Sequence, residues 1–126
     1  MSLRTPLGRV RGLGSAKEGV QHWWVQRTTA LALVPLTIWF VSSVLSLVGA
    51  GHAAAVDWLA SPWSATFMVL LIVATFHHMQ LGLQVIIEDY VHNETAKFAG
   101  LLVMKGVAFV LGLVAVLSVL KIALGG

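Results

Sequence analysis

The chain has 126 residues, of which 58% are hydrophobic and only 10% are charged. A soluble domain is usually about a quarter charged, so the composition excludes an ordinary soluble domain and indicates a membrane protein. Because the chain contains no cysteine, it can hold neither a disulfide nor a thiolate-ligated iron–sulfur cluster. It also contains no glycine-rich phosphate-binding loop.

Basic residues are concentrated at the start of the chain. The isoelectric point near 9.8 could suggest a nucleic-acid partner, but five basic residues precede or open the first apolar run: Arg4, Arg9, Arg11, Lys17 and Arg27. Cationic residues beside a span orient the protein with its basic side in the cytoplasm. The sequence therefore predicts no nucleic-acid partner, a cytoplasmic N-terminal arm over residues 1–20, and an external C-terminus.

The arm is short and runs directly into the first apolar run, which favours a cytoplasmic arm over a mitochondrial transit sequence. The predicted location is the bacterial inner (cytoplasmic) membrane, with the mitochondrial inner membrane as the alternative. Residues 51–63 are then predicted to lie outside the membrane, and residues 88–97 inside.

Three runs are long and almost free of charge. Thr28–Ala50 contains no charged residue, Ser64–Ile87 contains only two histidines, and Phe98–Leu120 contains only Lys105. Crossing about 30 Å of hydrocarbon takes about 20 apolar residues in a helix. The sequence predicts an all-α membrane protein with three transmembrane helices. These spans cover about residues 25–50, 62–88 and 97–121, within one membrane anchor domain of residues 21–126.

Capping and aromatic residues mark the ends of the predicted spans. Ser61-Pro62 places serine at the N-cap and proline at the first helical position of the second span. Asn93 or Thr95 can cap the third span. Tryptophan favours the headgroup level, and it marks both predicted interfaces, at Trp23, Trp24, Trp58 and Trp63.

The second span carries the residues that indicate a function. Histidine is costly inside a membrane and marks a functional site by default. A helix turns 100° per residue, which places His78, Gly82, Val85 and Asp89 on one face. A neutral imidazole can be an axial ligand of haem iron, and a glycine one turn away leaves room for the macrocycle edge.

Two simpler interpretations stand beside the haem hypothesis. His78 can be a core histidine bonded to a neighbouring carbonyl, and Gly82 can serve only close helix packing. His77 can be the ligand instead, but it points about 100° away, and its face has no glycine one turn on. The shared face favours His78.

The second span ends in an acidic and aromatic pair. Asp89 and Tyr90 lie about 16 Å from His78 along a continuous helix. A phenol can donate a hydrogen bond to a carbonyl oxygen, and a carboxylate beside it can orient the phenol or relay a proton, as quinone reduction requires. A solvated loop pair is the alternative. Glu88 and His92 can join a proton path or be merely solvated.

Arg27 opens the first span on the predicted cytoplasmic side. Anchoring the span at the interface explains it adequately. The alternative is a counter-charge for a haem propionate, which suits the geometry of a guanidinium group.

The spacing His78-x3-Gly82-x6-Asp89-Tyr90 resembles the haem-and-quinone motif of one family. That family is the smaller hydrophobic membrane anchor, of the cytochrome b556 type, of succinate dehydrogenase, respiratory complex II. Two further runs are similar to the same family. One is Gln-Val-Ile-Ile-Glu-Asp-Tyr-Val at residues 84–91, and the other is Arg-Thr-Thr-Ala at residues 27–30, which opens the first span. The His77-His78 pair departs from it, since many relatives have one histidine there.

The resemblance implies a haem-binding bundle formed with a second anchor subunit, the cytochrome b subunit, which supplies the other histidine. It implies that His78 is the axial ligand of haem b, beside Gly82, and that Arg27 meets a propionate. It implies that Tyr90 hydrogen-bonds ubiquinone with Asp89 beside it.

The same resemblance implies partners and a reaction. A flavoprotein subunit oxidises succinate, and an iron–sulfur subunit passes the electrons to ubiquinone, in the tricarboxylic acid cycle and aerobic respiratory electron transport. This chain then carries no FAD and no iron–sulfur cluster, contacts membrane lipid, and is not catalytic alone. Two alternatives stay open: a haem-free structural anchor, and a small transporter subunit with His78 and Asp89 as a proton relay.

Overall fold

The computed structural model describes residues 14–125, with side chains from residue 19 onward. Within this range the chain forms four α-helices and no strand. We number them α1 (Gly14–Leu47), α2 (His52–Ala60), α3 (Pro62–Tyr90) and α4 (Glu94–Ala123). Three segments are long and apolar enough to cross a membrane: Gly19–Leu47, Pro62–Tyr90 and Glu94–Ala123. The predicted all-α fold with three spans is confirmed.

The first helix differs from its predicted bounds at both ends. It begins at Gly14, so the last residues of the predicted arm are helical, while residues 1–13 lie outside the described part of the chain. It ends at Leu47, earlier than predicted. Gly49 and Gly51 follow with φ angles of 78° and 91°. Such positive φ angles suit glycine and are incompatible with a continuing right-handed helix.

A short helix, α2, occupies most of the segment predicted to connect the first two spans outside the membrane. Its Trp58 ring stacks on Trp39 of α1, with ring centroids 5.5 Å apart. Phe67 of α3 packs edge-on against the same Trp39 ring at 5.4 Å. Trp58 therefore packs onto the bundle, whereas Trp63 is 74% exposed.

The predicted N-cap residues of α3 and α4 differ in whether their side chains make a capping hydrogen bond. Ser61 and Pro62 occupy the predicted N-cap and first positions of α3, but the serine side chain makes no capping hydrogen bond. At the start of α4, Asn93 Oδ1 accepts a hydrogen bond from the backbone N–H of Ala96 at 3.1 Å. Asn93, rather than Thr95, is therefore the cap of α4.

The three long helices lie side by side, with α3 in the middle. Helix α3 packs against α1 on one side and α4 on the other, while α1 and α4 make few direct contacts. Helices α3 and α4 are antiparallel, since Gly100 and Gly112 of α4 meet Ile87 and Phe76 of α3 in reverse order. Helices α1 and α3 are antiparallel for the same reason, since Thr29 and Trp39 of α1 meet His78 and Phe67 of α3. We call the two ends of the bundle the Tyr90 end and the Trp58 end.

This arrangement buries little of the chain. Among the described residues only Ser64, Ala65, Leu81, Ala108 and Val119 are buried. Helix α1 exposes a stripe of apolar residues spaced three or four apart, which places them on one helix face: Leu31, Val34, Ile38, Val41 and Leu45. An apolar surface of this extent has to be covered by lipid or by another protein chain.

Gly112 offers a test of the contact between α3 and α4. A Cβ atom at Gly112 would lie 3.5 Å from the Phe76 ring, whereas one at Gly106 would meet nothing within 4 Å. We expect Gly112→Leu to overpack this contact and lower the free energy of unfolding by about 1–3 kcal/mol. Denaturant titration of the solubilised protein measures the change, with Gly106→Leu as the matched control. Equal losses in both variants would contradict the packing described here.

Candidate functional site

His78 connects the middle helix to the first one. Its Nδ1 atom lies 3.1 Å from the Thr29 hydroxyl oxygen of α1, and both side chains are half-buried. The Thr29 oxygen also lies 2.9 Å from the Val25 carbonyl oxygen and 3.0 Å from that of Gln26. The partner of Nδ1 is therefore a hydroxyl group on another helix, rather than a neighbouring carbonyl. The other ring nitrogen, Nε2, therefore stays available to bind a further group.

Gly82 lies one turn from His78 toward the Tyr90 end of α3. A Cβ atom at Gly82 would meet nothing within 4 Å, whereas one at Gly112 would touch Phe76. Gly82 is therefore not needed for close packing among the described residues of this chain. The space beside it can receive a flat ring or a helix of another subunit.

Arg27 lies at the same depth as this pair. It precedes Thr29 by two residues on α1, which corresponds to about 3 Å along the helix axis toward the Tyr90 end. Because α1 and α3 are antiparallel and Thr29 is level with His78, Arg27 lies between the levels of His78 and Gly82. Its guanidinium carbon is 5.4 Å from the centroid of the Trp23 ring, within the range of a cation–π contact.

The structure separates the two adjacent histidines. His77 is exposed and lines a groove of about 300 Å³ between α3 and α4, together with Phe76, Gln80 and Gly112. It also lines a second groove, between α1 and α3. His77 faces open grooves, whereas His78 is held by a hydrogen bond to α1.

Asp89 and Tyr90 are the last two residues of α3. Both are exposed, Tyr90 to 77%. The Tyr90 Cα lies about 18 Å from that of His78 along the helix axis, so the structure does not bring this pair into contact with His78. Glu88 accepts a hydrogen bond from the Gln84 side-chain nitrogen at 3.0 Å. His92 lies beyond the helix end and is exposed.

Sequence reasoning from single helix faces missed Thr29. A hydroxyl group at the depth of the membrane histidine is visible in the sequence, but Thr28 and Thr29 are equal candidates until the register of the two helices is known. Gln26 was missed as well. Its side-chain oxygen is buried and has no hydrogen-bond partner among the described residues, and such an atom is costly unless another group satisfies it.

The side chains around His78 suit a haem better than a metal ion held by several protein ligands. Within residues 19–125 no three His, Asp or Glu side chains come together as a metal site. A haem macrocycle supplies four of the iron's donor atoms itself, so the protein has to add only one or two. A single imidazole whose Nδ1 is hydrogen-bonded is typical of such a ligand. His78 and the open space at Gly82 fit such a group, and Arg27 places a cation at the same depth, on a different face of α1 from Thr29.

The sequence matches a protein family described as the succinate dehydrogenase/fumarate reductase transmembrane subunit, over residues 1–116. It is 33% identical over 95 residues to the succinate dehydrogenase hydrophobic membrane anchor subunit of Paracoccus denitrificans, covering 75% of this chain and 74% of the relative.

Two further relatives have similar names. The succinate dehydrogenase hydrophobic membrane anchor subunit of Rickettsia bellii (strain RML369-C) is 31% identical over 88 residues, covering 70% of each chain. The succinate dehydrogenase membrane anchor subunit of Reclinomonas americana is 28% identical over 95 residues, covering 73% of this chain and 79% of the relative. No solved structure gives a significant match. With its three apolar spans and these relatives, the chain belongs to the succinate dehydrogenase/fumarate reductase transmembrane subunit family.

Proposed function

We propose that this membrane anchor subunit of succinate dehydrogenase binds haem b and contributes to the site at which ubiquinone is reduced. One observation carries the haem part of the proposal. The imidazole of His78 is held at Nδ1 by Thr29, at the depth where Gly82 leaves open space and Arg27 supplies a positive charge. This combination suits an anionic, flat, iron-containing group shared with a neighbouring subunit.

In this proposal each residue has one task. His78 would hold the haem iron through Nε2, Gly82 would leave room for the edge of the macrocycle, and Arg27 would neutralise a propionate. Haem b, when bound, supplies a one-electron redox centre inside the membrane. A second anchor subunit would supply the other histidine, and its docking would cover part of the apolar surface that the described chain exposes.

The quinone part of the proposal places the headgroup at the Tyr90 end. Tyr90 lies just beyond the apolar part of α3 and is exposed, so a quinone arriving from the lipid can reach its hydroxyl group. The phenol donates a hydrogen bond to a quinone carbonyl oxygen, and the Asp89 carboxylate orients it or relays a proton. An exposed phenol beside an exposed carboxylate supports this role.

The Tyr90 end then faces the partner subunits that deliver electrons. A flavoprotein subunit oxidises succinate, and an iron–sulfur subunit binds near the α3–α4 connection and passes electrons to ubiquinone. With the basic N-terminus inside, this end lies on the cytoplasmic side of a bacterial inner membrane. The complex then links the tricarboxylic acid cycle to respiratory electron transport.

A haem-free structural anchor is the second candidate, and one observation favours it. The hydrogen bond between His78 and Thr29 joins two helices without any cofactor, so the histidine has a structural use of its own. A proton-relay transporter has less support, because α1 and α4 make few direct contacts among the described residues and so do not join α3 in enclosing a channel.

Purification of the complex through a tag on this chain tests the proposal. In mild detergent we expect the flavoprotein, the iron–sulfur subunit and a second anchor to co-purify, with a b-type absorption band after reduction by dithionite. Expressed without partners, the chain should be unstable, because few of its apolar residues are buried. A complete complex without the band would favour the haem-free anchor. A stable, monomeric, pigment-free chain would contradict the proposal.

A further inference from the structure

The Thr29 hydroxyl group has three close neighbours but only one hydrogen to donate. Two of them are the carbonyl oxygens of Val25 and Gln26, at 2.9 and 3.0 Å, which can only accept hydrogen bonds. The third is His78 Nδ1, at 3.1 Å, which can donate or accept. Assigning the hydrogens at this junction therefore determines the tautomer of His78.

The helix favours one assignment. Within an α-helix a threonine hydroxyl donates its hydrogen to a carbonyl oxygen three or four residues earlier, and both such oxygens are within reach here. Donation to Nδ1 instead would leave the hydroxyl oxygen facing both carbonyl oxygens with no hydrogen between them. The hydrogen in the contact with His78 therefore comes from the imidazole, so Nδ1–H donates to Thr29 Oγ1.

We infer that Thr29 is a positioning residue that holds His78 in the Nδ1–H tautomer and orients its unprotonated Nε2 for axial ligation of haem. The inference rests on the proposed function and deepens it. A ring nitrogen that binds a metal needs a free lone pair, and the hydrogen bond made by the other nitrogen decides which one has it. The same bond fixes the ring orientation and raises the basicity of the ligand.

The neighbouring Thr28 provides a matched control. It carries the same side chain at almost the same depth but lies about 100° around the helix and is exposed. Replacing either threonine with valine removes a hydroxyl group and keeps the branched shape. Only the change at Thr29 removes the acceptor for His78, whereas Thr29→Ser keeps a hydroxyl group that can accept the bond.

The experiment compares Thr29→Val, Thr29→Ser and Thr28→Val in the intact complex, by two measurements that do not depend on turnover. The first is the haem midpoint potential. It should become more positive in Thr29→Val, since a less basic imidazole stabilises ferric iron less. The second is transfer of haem to an excess of apomyoglobin, where we expect the affinity of Thr29→Val for haem to be about 10- to 100-fold weaker. Thr29→Ser and Thr28→Val should resemble the wild type in both.

The outcomes separate this inference from the proposed function. If His78→Ala lacks haem but Thr29→Val keeps the wild-type potential and affinity, the positioning role is wrong and the ligand assignment stands. If His78→Ala keeps its haem, the ligand assignment itself is wrong. If Thr29→Val does not assemble, Thr29→Ala takes its place, with the same expected shift in potential and loss of affinity. A serine variant with a shifted potential or weakened affinity would also overturn the inference.

Discussion

His78→Ala is expected to remove haem b from the assembled complex, whereas His77→Ala should retain it. The imidazole of His78 is held between two helices, beside the open space at Gly82, and no other described histidine is placed in this way. If His78 holds the iron as proposed, removing its imidazole should abolish a low-spin haem spectrum. The measurement is the absorption spectrum after reduction by dithionite, normalised to the flavin of the same preparation.

His77→Ala controls for the loss of a histidine at this depth, because His77 lines open grooves beside α3, whereas His78 is hydrogen-bonded to Thr29. Thr29→Val is a second control. It removes the same interhelical hydrogen bond but keeps the imidazole, so we expect it to weaken haem binding without abolishing the low-spin spectrum. An unchanged low-spin spectrum in His78→Ala would reject the assignment. Loss of haem in His77→Ala alone would transfer the ligand role to His77.

Tyr90→Phe is expected to slow quinone reduction without affecting assembly. The substitution keeps the ring and removes only the hydroxyl group, and the side chain is 77% exposed, so folding should not depend on it. Losing one hydrogen bond to the reacting carbonyl should cost about 1–3 kcal/mol, or roughly ten- to a hundred-fold in rate. Tyr90 is the single tyrosine of the chain, so no neighbouring phenol of this subunit can replace it.

Two activities measured in the same membranes make this prediction specific. Succinate oxidation with a soluble artificial acceptor should be nearly unchanged, because the proposal assigns that step to the flavoprotein subunit. Succinate–quinone reduction should fall. Asp89→Asn is a useful companion, since it keeps the shape and removes the charge next to the phenol. If both activities stay at wild-type levels in Tyr90→Phe, the phenol is not part of the quinone site.

The features that the sequence alone determined are those that depend on neighbouring residues along the chain. Three uncharged runs predicted three spans, because crossing the hydrocarbon layer requires a helix of sufficient length. Asn93 was one of two predicted caps for α4, and Ser61-Pro62 marked the start of α3, because capping is local. The order of His78, Gly82 and Asp89 along one face followed from helix periodicity alone.

Other features were decided only by the tertiary structure. Helix α2 packs through Trp58 onto Trp39, a contact between residues far apart in the sequence. The hydrogen bond between Thr29 and His78 joins residues 49 positions apart, and it exists only at one relative register of α1 and α3. The hydrophobic periodicity of a helix predicts which of its faces packs against a neighbour. It constrains only weakly the axial register, which is how far one helix is shifted along its axis relative to the other. Side-chain shape sets that register, and with it the choice between Thr28 and Thr29 and the different surroundings of His77 and His78.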